Sequence, residues 1–292
     1  MSDSIDALRR RIDGAGDLQA VVRTMKALAA SSIRQYERAV ESLEVYYHTV
    51  EMGLVACLRQ PGMVQLLAPP NPHVKVHTGV IVFGSDQGLI GQFNDVLAAY
   101  AAHSLAGLPG DKQVWAVGER MRDRLADQSL PPCDVFNTPN SLSGITVLVG
   151  QILLATENCR ARGEISQIYL FHNRPGTSAD QYQPASQRLL PLDAPWRQAL
   201  MQQGWPTNKL PEALGSAETT LWALIREYLF VSLYRACAES LASENASRLA
   251  AMQRAEKNID EMLDELTHTY HHLRQESIDA ELFDVVTGFT AV

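Results

Sequence analysis

From Ala217 to Val286 the chain runs for seventy residues without a glycine or a proline. As one uninterrupted α-helix this stretch would span roughly 105 Å, at about 1.5 Å of rise per residue. A compact domain formed by 292 residues cannot bury a rod of that length unaided. Part of it must be covered by another segment of the chain or by another protein.

The periodicity of the stretch indicates what covers it. Met252, Ile259, Leu266, Leu273 and Ala280 recur every seven residues, and Ala255, Met262, Thr269, Glu276 and Phe283 form a second set at the same spacing. Heptad spacing puts both sets on one narrow stripe and favours a left-handed supercoil with a partner helix. Thr269 and Glu276 are polar, so the seam is expected to loosen toward the C-terminus. The partner lies at the other end of the chain. Leu18 to Val50 also lacks glycine and proline; Val22, Ala29, Tyr36, Leu43 and Val50 repeat every seven, with Met25, Ser32, Ala39 and Tyr46 as the second set. The expected arrangement is an antiparallel coiled coil of an N-terminal helix within residues 1–60 and a C-terminal helix within 212–292, with a separate domain inserted between them at 74–195.

That inserted segment has a different period. Val80–Phe83 is a short apolar run ending at Gly84, and Gln113–Val117 and Ile165–His172 are similar. Asp134–Asn137 is a further candidate strand, Leu189–Leu192 an edge strand, and Glu119–Ala126 and Thr146–Arg162 read as helices. Strands alternating with helices predict an α/β domain with a largely parallel, Rossmann-like sheet. The fold class is therefore α/β, an antiparallel coiled coil of the terminal helices carrying an inserted α/β domain.

Composition narrows the function. The formal net charge of -8 argues against sequence-independent nucleic-acid binding, and the basic group Arg9, Arg10 and Arg11 reads as a solvated helix face. No apolar run approaches the ~18 residues that a membrane span needs. The acidic start, Met1–Asp6, is followed at once by helical sequence, so neither a secretory signal nor a transit peptide is expected. Cys57, Cys133, Cys159 and Cys237 show no Cys-x-x-Cys spacing and read as reduced, mostly packing residues.

Two constellations suggest chemistry. The loop Gly84-Ser-Asp-Gln-Gly88-Leu-Ile-Gly91 follows a strand and precedes a helix, where glycines can cradle a phosphate. Its spacing matches neither the dinucleotide fingerprint nor the phosphate loop, and no lysine follows in the required place, so a structural turn is the plainer reading. Asp264, His268, His271 and His272 share part of a helix face, but one helix offers too narrow an arc to enclose a metal. No nucleophile–base pattern is visible.

Three motifs, in order, carry a resemblance. The N-terminal stretch Leu8-Arg-Arg-Arg-Ile12, Gln19 and Thr24-Met-Lys-Ala-Leu-Ala-Ala-Ser31 is one. The loop Ser85-Asp-Gln-Gly-Leu-Ile-Gly-Gln-Phe-Asn94 is the second. The third runs from Ala242-Ser-Glu-Asn-Ala-Ser-Arg-Leu-Ala-Ala-Met252 through Leu266-Thr-His-Thr-Tyr270 and Arg274-Gln275 to Glu281-Leu282. Together they resemble the gamma subunit of F-type ATP synthases over essentially the whole chain.

The resemblance implies a rotor shaft: an antiparallel coiled coil inside the hexamer of alpha and beta subunits, with a Rossmann-like domain at its base. It implies no active site and no cofactor in this chain, since nucleotides bind on alpha and beta. The implied partners are alpha, beta, epsilon and the ring of membrane c subunits, and the implied location is peripheral, on the cytoplasmic face of a bacterial inner membrane. By motif position, Arg248 and Gln275 match the family's contacts with the beta catch loop, and Met25 and Lys26 match its coupling-sensitive site. Val285, Val286, Phe289 and Val292 would sit in the bearing sleeve of the hexamer. There are departures. Gln87 stands for the family's loop arginine, Ile90 for its cysteine and Ile259 for an alanine, while residues 183–215 lack its Tyr-x-Tyr-Glu-Pro pattern. These point to a divergent bacterial form. Two other functions fit parts of the chain: a nucleotide-dependent enzyme built on the α/β domain, and a coiled-coil scaffold unrelated to rotation.

Overall fold

The computed structural model describes residues 2–63, 77–176, 182–192, 194–202, 205, 208–209 and 216–290. In chain order the elements are α1 (Ser2–Leu58), β1 (Thr78–Phe83), α2 (Phe93–Ala106), β2 (Lys112–Val117), α3 (Glu119–Asp127), β3 (Asp134–Phe136), α4 (Leu142–Ala161), β4 (Gln167–Pro175), β5 (Tyr182–Leu190), α5 (Ala194–Gln202) and α6 (Ala217–Thr290). The chain divides into two units, one of residues 31–247 and one of residues 1–30 with 248–292.

The larger unit is built on one five-stranded sheet of order β3-β2-β1-β4-β5. The first four strands are parallel and β5 runs antiparallel to β4 at the edge. Side chains alternate across the sheet as the pleat requires. Ile81, Phe83, Trp115, Val117, Ile168 and Leu170 face a core shared with α4, the C-terminal part of α1 and the N-terminal part of α6. Val80, Val82, Val114, Ala116 and Phe171 face a second core shared with α2 and α3. Both faces are covered, which explains why the central strands read as continuous apolar runs rather than alternating ones.

β5 and α4 depart from the sequence reading, while α1 keeps within the expected 1–60 but crosses glycines. The edge strand covers Tyr182–Leu190, not Leu189–Leu192, and Pro184 lies within it opposite Asn173. An edge strand tolerates proline and half-exposed polar residues, so its pattern YQPASQRLL carries no clear period. α1 continues through Gly14, Gly16 and Gly53, beyond the breaker-free Leu18–Val50. A helical glycine costs only about 1 kcal/mol against alanine, and at Gly53 an added Cβ would meet the Leu224 methyls at 3.0–3.1 Å, so this glycine lets α1 and α6 approach closely. By length and mean hydropathy α4 is able to cross a membrane. Its stripe of Ile145, Leu148, Val149, Ile152 and Cys159 instead fills the first core.

In the smaller unit the two helical segments are antiparallel. Gln19 bonds Asp260, and Arg23 and Lys26 both bond Glu256, so partner numbers fall along one helix as they rise along the other. Met252, Ile259, Leu266, Leu273 and Ala280 are all at least partly covered, as the first heptad set requires. The second set is different from the one expected. Met262 is 47% exposed and Phe283 71% exposed, while Glu256, Leu263, Tyr270 and Ser277 are partly covered in their place. The second row lies four residues after the first, not three. Both spacings return to the same face of a helix, and the apolar residues Met262 and Leu263 sit side by side, so periodicity alone leaves the choice open.

Candidate interaction site

The β1–α2 loop sits at the carboxyl edge of the sheet, where the chain leaves β1 toward β2 and later returns on the other side of β1 as β4. Ligands of open parallel sheets bind at this kind of switch point. Here the chain fills the place with its own groups. The Ser85 amide donates to Asn94 Oδ1 (3.2 Å), and Asn94 Nδ2 donates to Ser85 Oγ (2.8 Å). Asp86 accepts from the Glu119 amide at the N-terminus of α3 (2.9 Å), and from the amide and hydroxyl of Thr138 (2.8 and 2.6 Å). A side-chain carboxylate thus caps the N-terminus of α3 beside the loop.

Gly84 of this loop and Gly118 facing it are explained by packing. A Cβ on Gly84 would lie 2.3 Å from Met121 Cβ, and one on Gly118, whose φ is +100°, would lie 2.5 Å from the Ser85 backbone. At Gly84 and Gly118 the loop is a backbone crossing rather than a phosphate cradle. The helix α6 closes it further. Ser240 Oγ donates to the Phe83 carbonyl (3.2 Å) and Ser247 Oγ to the Ile90 carbonyl (2.5 Å).

In the smaller unit, Lys26 and Arg23 converge on Glu256, with Arg23 Nε 3.1 Å from Oε1. The Lys26 hydrogen bond, then that of Arg23, holds the Glu256 carboxyl below the usual carboxylate range. Such a group stabilises the helical pair fully above its unfolded pKa, and that contribution is lost as pH falls through the lowered folded value. Glu256→Gln is therefore expected to lower the thermal midpoint at neutral pH, and the gap from wild type should close in acid. A gap that stayed constant with pH would rule out the ionic account. Glu256 carries no apolar signal, and its role was not visible from periodicity.

Of the other residues singled out above, Met25 and Arg248 are half-buried and Gln275 is exposed. Val285 and Val286 are exposed, at 56% and 57%. The side chain of Phe289, and all of Val292, lie outside the described residues. Asp264, His268, His271 and His272 are all exposed, and His272 pairs with Glu276 at 3.4 Å. Among the described residues no group of three or more His, Cys, Asp or Glu is placed to hold a metal. Cys57, Cys159 and Cys237 are buried packing residues, whereas Cys133 is exposed.

The family model described as ATP synthase matches residues 4–292. The chain belongs to this family. The ATP synthase gamma chain of Granulibacter bethesdensis is 29% identical, covering 99% of this chain and 99% of that one. The gamma chain of Brevibacillus brevis is 27% identical, covering 100% and 99%. The fold is also that of the Euglena gracilis mitochondrial ATP synthase rotor in rotational state 1, with a TM-score of 0.62 at 15% identity over 95% of this chain and 100% of that one. Against the ATP synthase family's loop pattern the substitutions are mild. Gln87 is exposed, and Ile90 is a buried apolar residue 3% exposed, so neither disturbs the hydrogen bonds through Ser85, Asp86 and Asn94.

Proposed function

We propose that this chain is the central-stalk rotor of an F-type ATP synthase. It couples ion-driven rotation of the c ring to ATP synthesis or hydrolysis in the hexamer of alpha and beta subunits, with epsilon at its base. The chain is a gamma subunit and is not itself catalytic. The observation that carries this reading is the pair of long helices, joined antiparallel through Gln19–Asp260 and Arg23–Glu256, in a chain the family model matches from residue 4 to 292.

A shaft needs stiffness and a surface that binds no single orientation too tightly. Unbroken helices supply the first. Exposed polar side chains supply the second, because surface ion pairs are individually worth ~1 kcal/mol or less. Different faces of the pair then favour different conformations of the three beta subunits in turn, which is coupling by differential contact.

In this reading Arg248 and Gln275 meet the beta catch loop, Met25 and Lys26 form the coupling-sensitive site, and Val285, Val286, Phe289 and Val292 turn in the sleeve. In the same reading the chain, part of a membrane-associated complex, lies peripherally on the cytoplasmic side of a bacterial inner membrane; its bacterial relatives support this. Co-expression with alpha and beta from the same organism tests the assignment. A stable complex whose ATP hydrolysis depends on this chain is expected, and unchanged hydrolysis without it would overturn the reading. Arg248→Ala and Gln275→Ala are expected to slow hydrolysis by the assembled complex about two- to fivefold, the scale of one surface polar contact, while leaving its yield unchanged. An equal fall in yield would assign them to folding instead.

A further inference from the structure

The loop Ser85–Asn94 and the helix segment around Ala242–Met252 are the two motifs whose chemistry the rotor reading leaves unexplained. Within the larger unit they hold each other. Ser240 and Ser247 stand seven residues apart, on one face of α6, and donate to the carbonyls of Phe83 and Ile90. Ser243, between them on that face, is fully buried. The segment is rich in small residues (Ala236, Ala238, Ser240, Ala242, Ser243, Ala246, Ser247), which lets the loop backbone lie against the helix.

The loop end is equally tied. Asn94 closes it onto α2, and Asp86 fastens it to the start of α3 and to Thr138 beyond β3. Asn173 of β4 donates to the Phe93 carbonyl at 3.1 Å. The loop is therefore tied by directional bonds to α2, to the start of α3, to Thr138 and to α6, and those to Asn94, Ser240 and Ser247 are buried. Apolar packing resists separation but permits sliding and rotation, whereas a hydrogen bond fixes both distance and direction.

We propose that this loop–helix joint is the element that transmits torque between the α/β unit and α6, with Ser240 and Ser247 as its positioning residues. The joint stays closed throughout turnover. Torque entering at the sheet passes through the loop into α6 at two points separated along its axis, so the helix cannot turn within its seat. This inference rests on the rotor reading.

The test uses the whole membrane complex, assembled with this chain in a Cys133→Ser background. In Ser240→Ala/Ser247→Ala, amide exchange over residues 85–92 should quicken about fivefold per hydrogen bond lost. ATP-driven ion transport should fall relative to ATP hydrolysis, with the yield of complex unchanged. In Gly91→Cys/Ser247→Cys, a Cβ on residue 91 would lie 4.0 Å from the Ser247 hydroxyl, so a shift of about 1 Å closes a disulfide, and a Gly91→Ala control measures the strain of a side chain at its φ of +59°. Oxidation should preserve transport and hydrolysis together, and reduction should reproduce the weakened ratio of the serine variant. Two results would overturn the joint: a serine variant as well coupled as wild type, or an oxidised variant that stops turning. If wild-type complex shows no ATP-driven transport at all, it is the rotor reading that fails.

Discussion

Gly118→Ala is expected to leave the chain unable to assemble, with the larger unit destabilised by about 3 kcal/mol or more. Two costs combine at this residue. Its φ of +100° is strained for any side chain, and the added Cβ would lie 2.5 Å from the backbone of Ser85. Backbone cannot swing aside as a side-chain tip can. Relief requires the β1–α2 loop to move, and that loop holds the Asp86 bonds to Glu119 and Thr138. The yield of complex on co-expression with alpha and beta measures the effect. Gly107→Ala is the matched control, since nothing lies within 4 Å of a Cβ there. Equal behaviour of the two variants would refute the close-approach account.

Glu239→Ala should also be damaging, by about 3 kcal/mol, because it leaves the buried His172 without its partner and removes an ion pair from the exposed Arg235. Glu239 Oε2 lies 2.8 Å from His172 Nε2, and Oε1 accepts from Arg235 Nε at 2.8 Å. Burial pushes the carboxyl up, but the His172 hydrogen bond and Arg235 together outweigh it and hold the group below the usual carboxylate range. The sign follows from that direction. The stabilisation is complete above the unfolded carboxylate pKa and is lost as pH falls through the lower folded value. Unfolding midpoints of wild type and Glu239→Ala should therefore be far apart at neutral pH and converge in acid. Glu239→Gln, which keeps a hydrogen-bonding group, should lose only about 1–3 kcal/mol. A gap independent of pH would mean that Glu239 acts through shape and not through charge. The residue lines a cleft of about 310 Å³ with Tyr47, Arg174 and Gln187, and no local pattern on α6 sets it apart from a surface acid.

The parts legible from sequence were those with a strong local cause. Val80–Phe83 and Gln113–Val117 read as buried strands because both sheet faces are covered, and they fall within β1 and β2. The first heptad rows, Met252–Ala280 and Val22–Val50, lie on covered faces because burial must follow the helical period. Tyr182–Leu190 stayed hidden because an edge strand imposes no alternation. The choice between Met262 and Leu263 stayed hidden because adjacent apolar residues fit either row.

Charge pairing was the least legible layer. Glu256 with Lys26 and Arg23, and Glu239 with His172 and Arg235, join residues far apart in sequence, and nothing local marks one glutamate among many. The loop Gly84–Gly91 shows the same limit from the other side. Its glycines suit a phosphate cradle and a backbone crossing equally well, because both need a chain without side chains.

The seventy breaker-free residues by themselves determined that this protein contains a helix too long to be buried by its own domain, since helix continuity is a local property of the backbone. Tertiary structure decided what touches that helix: the residues of the second seam row, the acids that clamp basic partners, and the serines that seat α6 on the β1–α2 loop. Those contacts depend on which distant segments the fold brings within about 3 Å, and spacing along one chain does not encode that distance.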